Sequence, residues 1–119
     1  MNVQIFGYTD CQDTRKAQRF FAERRIPVHF VDLKERPMSK GELRRFGDRF
    51  GAACIDTESA AYKALRLRVA LDSPQRLVER ALTEPRLLRT PLVRNGGKVT
   101  IGHVPDEWQA WVEAEKKQA

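Results

Sequence analysis

The residues best suited to chemistry stand close together in Phe6 to Arg15, FGYTDCQDTR, where Cys11 separates an apolar run from a helical pattern. Val3, Ile5, Phe6 and Tyr8 read as a buried strand, whereas from Thr14 onward Ala17, Phe20, Phe21 and Arg24 recur at three- and four-residue spacing. The period therefore changes from strand-like to helical at the thiol. A helix N-terminus presents unpaired backbone N–H groups and the positive end of the macrodipole, both of which favour an anion. Arg15 and Lys16, one turn on, are predicted to add positive charge beside the sulfur. An ordinary thiol has a pKa of ~8.5, and a helix terminus with basic neighbours brings it to roughly 3.5–7.5. The predicted chemistry is nucleophilic attack by a thiolate. The polar flanks Thr9, Asp10, Gln12 and Asp13 predict that the turn is exposed.

Other chemistries find less support. Two cysteines 43 positions apart form neither a C-x-x-C pair nor a His/Cys metal cluster, so no metal is expected and a reducing compartment fits. A cysteine phosphatase needs C-x5-R, and position 17 is Ala17. Cys54, in Ala52-Ala53-Cys54-Ile55, reads as a buried cysteine; it could resolve a disulfide only at a Cα separation of ~4.4–6.8 Å from its partner. His29 reads as a plain strand residue, and His103 as either a donor near the site or an ordinary loop histidine.

The elements that must position Cys11 follow from pattern. The first helix should end near Arg25, before Ile26-Pro27, and Val28 to Leu33 alternates as a second strand. Strand, helix and strand make a βαβ unit with the Cys11 turn at the carboxyl end of its first strand, where open α/β sheets place their ligands. Ser39-Lys40-Gly41-Glu42 has the form of a capping box opening a helix to about Phe50, with Leu43, Phe46 and Phe50 inward and Gly51 as its stop. Thr57 to Leu65 and Pro74 to Leu82 look helical, the second with Ser73-Pro74 as its start. No charged constellation shows in these helices, which read as an insertion. Leu92 to Ile101, with Asn95-Gly96-Gly97 as its turn, predicts a β-hairpin led by Thr90-Pro91, where proline starts the strand or marks a special turn with a cis bond. Pro105 to about Lys117 predicts a closing helix with Trp108, Trp111, Val112 and Glu115 on one side, and Lys116 to Ala119 a frayed tail.

At 119 residues the chain predicts one domain, residues 1–119, with the helical insertion at about 39–86. The 41% apolar and 32% charged composition is that of a soluble protein. Without an apolar span or signal core, a cytoplasmic location and no membrane contact are expected. The net charge of +6 is spread over Arg24-Arg25, Arg44-Arg45, Arg66/Arg68, Arg86/Arg89 and Lys116-Lys117. That scatter lacks the aromatic-lined stripe of a nucleic-acid site, so nucleic acid is not an expected partner.

Element order and several motifs together resemble the glutaredoxin-linked arsenate reductase family, which also contains the Spx-type transcription regulators. The resemblance runs from about Gln4 to Trp111. It is carried by Tyr8-x-x-Cys11-x-x-Thr14-Arg15-Lys16-Ala17, Asp32-Leu33, Pro37-x-Ser39-x-x-Glu42-Leu43, Ala61-Tyr62-Lys63-x-Leu65, and Leu87-Leu88-Arg89-Thr90-Pro91-Leu92-Val93 with Gly102. It implies a thioredoxin-like α/β fold with a central mixed sheet. It also implies Cys11 as nucleophile assisted by Arg15, with glutathione as co-substrate and a glutaredoxin-like reductant. Gln12, Thr14, Arg89, Thr90, Pro91 and His103 become the candidate residues for substrate or glutathione.

Against the family pattern, arginines expected around the oxyanion are replaced by Asp56 or Glu58, by Thr90 and by His103. Arsenate needs such arginine forks, so glutathione-linked thiol–disulfide exchange is the expected reaction. Thr90-Pro91 is similar to the threonine-proline pair of glutaredoxins. The family also implies two other readings. One is a non-catalytic Spx-like protein binding a transcription or metabolic partner, although the second cysteine of an Spx-type C-x-x-C is here Thr14. The other is a true arsenate reductase using Arg15, Arg89 and His103.

Overall fold

In a computed structural model that describes residues 1–69 and 71–118, the elements follow in the order β1 (Val3–Gly7), α1 (Gln12–Glu23), β2 (Val28–Asp32), α2 (Lys40–Phe50), α3 (Ala60–Val69), α4 (Pro74–Arg80), β3 (Leu92–Asn95), β4 (Lys98–Ile101) and α5 (Pro105–Gln118). Short 3-10 turns occupy Gly51–Cys54 and Pro85–Leu87. These residues fall into two compact units, Met1–Val31 with Thr90–Ala119, and Asp32–Arg89.

The first unit is built on a sheet of order β2-β1-β3-β4. β1 pairs antiparallel with β3, Phe6 opposite Leu92, and β3 pairs antiparallel with β4, Leu92 opposite Ile101. The sheet is mixed, so β1 and β2 are the parallel pair that α1 connects, as the βαβ pattern predicts. Alternation along β1 turns Val3 and Ile5 to one face, where they meet Ala17 and Phe21 of α1, Val93 of β3, and Trp108 and Trp111 of α5. Trp108 is wholly buried, and its indole Nε1 donates to Thr100 Oγ1 at 2.9 Å, so the ring anchors the core without a stranded polar group.

The closing helix departs from expectation at two places. Glu115, which spacing put beside the tryptophans, is exposed and pairs with the Met1 amine at 2.9 Å. Lys116 and Lys117, predicted to fray, belong to α5, which runs to Gln118; Ala119 lies outside the described residues. The hairpin turn is tighter than predicted, since Asn95 pairs with Lys98 and only Gly96 and Gly97 connect the strands.

In the second unit α2 has the predicted capping box. Ser39 Oγ accepts from Glu42 N–H at 3.1 Å and Glu42 Oε1 from Ser39 N–H at 2.9 Å. Leu43 and Phe46 are buried, Phe50 only half so, and Gly51 ends the helix at φ 56, a conformation that favours glycine. α3 begins at Ala60 rather than Thr57 because Asp56 to Ser59 form a capped turn. Asp56 Oδ1 accepts from Glu58 N–H at 3.0 Å, and Ser59 Oγ accepts from Tyr62 N–H at 3.1 Å. α4 starts at Pro74 with Ser73 as its cap, but ends at Arg80, two residues before the predicted Leu82. A charged cluster that the pattern did not reveal sits beside it, where Arg76 and Arg80 both converge on the largely buried Asp72.

Candidate active site

The site begins with the abrupt change from β1 to α1. The chain leaves the strand at Gly7, and Cys11 N–H donates to Tyr8 C=O at 3.0 Å, closing a turn. Cys11 is the N-cap residue of α1 with extended dihedrals, φ −88 and ψ 120, and its carbonyl accepts the first helical bond from Arg15 N–H at 3.1 Å. A side chain at this position faces the unpaired N–H groups of the next residues, here Asp13 and Thr14. Neither forms a cap hydrogen bond to the sulfur, yet both favour its anion.

From the other side comes the residue that leads the hairpin. Thr90 Oγ1 donates to Cys11 Sγ at 3.1 Å, and the thiol makes a long contact, 3.9 Å, with Thr90 C=O. The Thr90–Pro91 peptide bond is cis, and Gly102 N–H donates to Pro91 C=O at 2.8 Å, tying the start of the hairpin to its end. Cys11 is half-buried, which by itself raises a thiol's pKa and is the largest single influence. The hydroxyls of Thr14 and Thr90 and the N–H groups of Thr14 and Asp13 together outweigh it, holding the thiol below its ordinary value.

The predicted cations play a different part. Arg15 Nη1 donates to Thr9 C=O at 2.7 Å and so clamps the turn, while neither Arg15 nor Lys16 is among the groups that lower the thiol. Gln12 is exposed at the first turn of α1, and Asp13 is half-buried. His103 is exposed, its ring edge-on to Trp108 at 5.8 Å between centroids. Arg89 belongs to the second unit, where its N–H donates to Cys54 C=O at 2.7 Å and its Nε to Ala53 C=O at 3.3 Å. Cys54 itself is free and wholly buried, and burial pushes its thiol up to about 11. Such a thiol is a poor candidate for resolving a disulfide, because the attacking species is the thiolate. Among the described residues no group of three or more His, Cys, Asp or Glu side chains could hold a metal, and no helix is long and apolar enough to cross a membrane.

Gly7 is the residue of the site that escaped the pattern. Thr14 is fully buried and packs over Gly7, where an added Cβ would clash with Thr14 Oγ1 and lie 2.6 Å from its Cγ2. A glycine inside a strand is the available signal, since it marks places where another group approaches the backbone closely.

A mixed sheet, a proline-led hairpin and a thiol at the β1–α1 junction define a thioredoxin-like fold, which the chain shares with an arsenate reductase from Vibrio cholerae at a TM-score of 0.77 and 23% identity, covering 90% of this chain and 94% of that one. The ArsC family model matches residues 6–111, and the chain belongs to that family. Among its relatives are the uncharacterized protein YusI of Bacillus subtilis strain 168, 26% identical over 92% of this chain and 97% of that protein, and the global transcriptional regulator Spx 2 of Oceanobacillus iheyensis, 28% identical over 90% and 81%.

Proposed function

We propose that this ArsC-family protein is a thiol oxidoreductase that uses the Cys11 thiolate in glutathione-linked thiol–disulfide exchange. The observation that carries the reading is the character of the groups around the sulfur. Each group that lowers the thiol is a neutral donor, two hydroxyls and two backbone N–H groups. Neutral donors suffice for a singly charged thiolate meeting a disulfide. A multiply charged oxyanion beside that thiolate needs cations, preferably arginine forks, and no cation is among those groups.

In the first step Cys11 S⁻ attacks the glutathione sulfur of a mixed disulfide. A Cys11–glutathione disulfide forms, the original S–S bond breaks, and the substrate leaves as a thiolate. A second glutathione thiolate then attacks the glutathione sulfur of this adduct. It releases oxidised glutathione and restores Cys11 S⁻, so the attacking glutathione thiolate supplies the electron pair of the new S–S bond and the pair of the broken one leaves on Cys11. Cys54, buried with a raised thiol, takes no part.

The test is the pH dependence of Cys11 alkylation by iodoacetamide in a Cys54→Ala background, followed by reduction of a glutathionylated peptide with and without arsenate. The expected result is an apparent pKa clearly below ~8.5, turnover of the peptide, and no arsenate reduction. Arsenate turnover would overturn the substrate assignment. An ordinary thiol with no turnover would favour a second reading, a regulator that binds a protein partner; the Spx 2 relative supports it.

A further inference from the structure

We propose that Arg15 is a positioning residue that locks the turn carrying Cys11, and that it acts on the sulfur through Thr90 rather than through its own charge. This rests on Cys11 acting as the nucleophile, and it concerns what keeps that sulfur aimed at the hairpin.

Residue 15 grips the turn twice. The backbone N–H of Arg15 donates to Cys11 C=O at 3.1 Å as the first bond of α1, and its Nη1 donates to Thr9 C=O at 2.7 Å. The two carbonyls bracket Asp10 and Cys11, so the segment that delivers the thiol is held at both ends by one residue. A third tie, from Cys11 N–H to Tyr8 C=O at 3.0 Å, closes a four-residue turn with Thr9 and Asp10 at its centre.

Thr9 C=O belongs to the central peptide of that turn. Turns of types I and II differ chiefly by a flip of this peptide, which leaves the closing hydrogen bond in place. The flipped form needs a positive φ at the third turn residue, here Asp10, and aspartate is one of the few side chains that tolerate it. Arg25 is the one non-glycine residue at positive φ among the described residues, so Asp10 holds the unflipped form. Thr9 is exposed. Water solvates an exposed carbonyl in either orientation, whereas a guanidinium carried at the start of α1 reaches it in only one.

Orientation matters because the sulfur must meet a group on another element. Cys11 Sγ accepts from Thr90 Oγ1 at 3.1 Å, and Thr90 is tethered where Gly102 N–H donates to Pro91 C=O at 2.8 Å. A flip of the Thr9–Asp10 peptide swings the backbone of Cys11 and weakens that contact, since hydrogen bonds fall off steeply with distance and angle. The guanidinium itself is engaged by the Thr9 carbonyl and is not among the groups that favour the thiolate directly.

The experiment measures iodoacetamide alkylation across pH for Arg15→Met, Thr90→Val and the double variant, all in the Cys54→Ala background. Methionine keeps a long unbranched side chain and a high helix propensity but has no donor. Arg15→Met should slow alkylation at about pH 6 by about two- to five-fold, the loss expected from removing the Thr90 hydroxyl itself. Its rate should converge on the parent rate at high pH, where both thiols are ionised. In the Thr90→Val background Arg15→Met should change the rate by less than about 1.5-fold, because the contact it protects is already gone. The loss should be the same in about 0.01 M and about 1 M salt, between which the screening length shortens from about 30 Å to about 3 Å. A parent thiol that titrates like free cysteine sinks the oxidoreductase reading. With a lowered parent thiol, three results overturn this proposal alone: no effect of Arg15→Met, an equal loss with and without the Thr90 hydroxyl, or a loss that vanishes at high salt.

Discussion

The two cysteines of this chain pose the same problem and receive opposite solutions. Both are partly or wholly withdrawn from water, and at both the withdrawal opposes ionisation. At Cys54, in the 3-10 turn Gly51–Cys54, nothing offsets it and the thiol rises to about 11. At Cys11 the start of a helix and the start of a hairpin direct donors at the sulfur, and the thiol falls below its ordinary value. The comparison shows that burial alone does not make a cysteine reactive or inert. The decisive quantity is how many donors the surrounding backbone and hydroxyls supply per unit of lost hydration.

The most severe way to break the comparison is to remove the nucleophile. Cys11→Ser should abolish thiol transfer, with unchanged far-UV circular dichroism. Retained transfer would mean that Cys54 or another group reacts, and the contrast would collapse. With both thiols present in the native protein at pH 7, iodoacetamide should label Cys11 at least ~100-fold faster than Cys54, from the difference in ionised fraction alone. Peptide mapping before and after denaturation measures the ratio, and comparable native labelling would show that Cys54 is neither buried nor inert.

Stability against pH sharpens the same contrast because the two thiols contribute with opposite sign. The Cys54 thiol is raised from 9.0 to about 11, so between those values the native state binds more protons than the unfolded chain. Its contribution is fully present below pH 9.0 and is lost as pH rises to about 11. The full loss is about 3 kcal/mol. Cys54→Ala should cost about 1 kcal/mol at neutral pH through lost packing and should then lack this alkaline decline. Cys11 is lowered in the fold, so its contribution is present above the ordinary thiol value and is lost as pH falls through its native value. Cys11→Ser should remove that rise. Urea unfolding of the two variants against the parent, across neutral to alkaline pH, reads both effects.

Much of this site was legible in the sequence, for reasons that differ by residue. Cys11 stood out because a strand period gives way to a helix period at that position, and such a changeover leaves unpaired N–H groups wherever it occurs. The capping box at Ser39 and Glu42, the βαβ unit and the hairpin were equally readable, since each depends on residues near in sequence. The function of Arg15 was not legible, because a cation near a thiol in sequence is free to point elsewhere, here to Thr9 C=O. The start of α3 was missed because Asp56 and Ser59 compete for local backbone bonds that a helix would otherwise use. Gly7 and Thr14 meet across the strand–helix junction, and only three dimensions show that one leaves room for the other.

The smallest effect comes from the hydroxyl that leads the hairpin. Thr90 Oγ1 donates to Cys11 Sγ at 3.1 Å. Removing a donor that serves both the thiol and the thiolate shifts the equilibrium between them only by the difference in bond strength. Thr90→Val should therefore slow low-pH alkylation of Cys11 by only about two- to five-fold. The pH–rate profile of the variant against the parent measures it. A loss of about tenfold or more would mean that Thr90 turns fully to the sulfur only on ionisation, and that the hairpin start, rather than the α1 terminus, controls the thiolate.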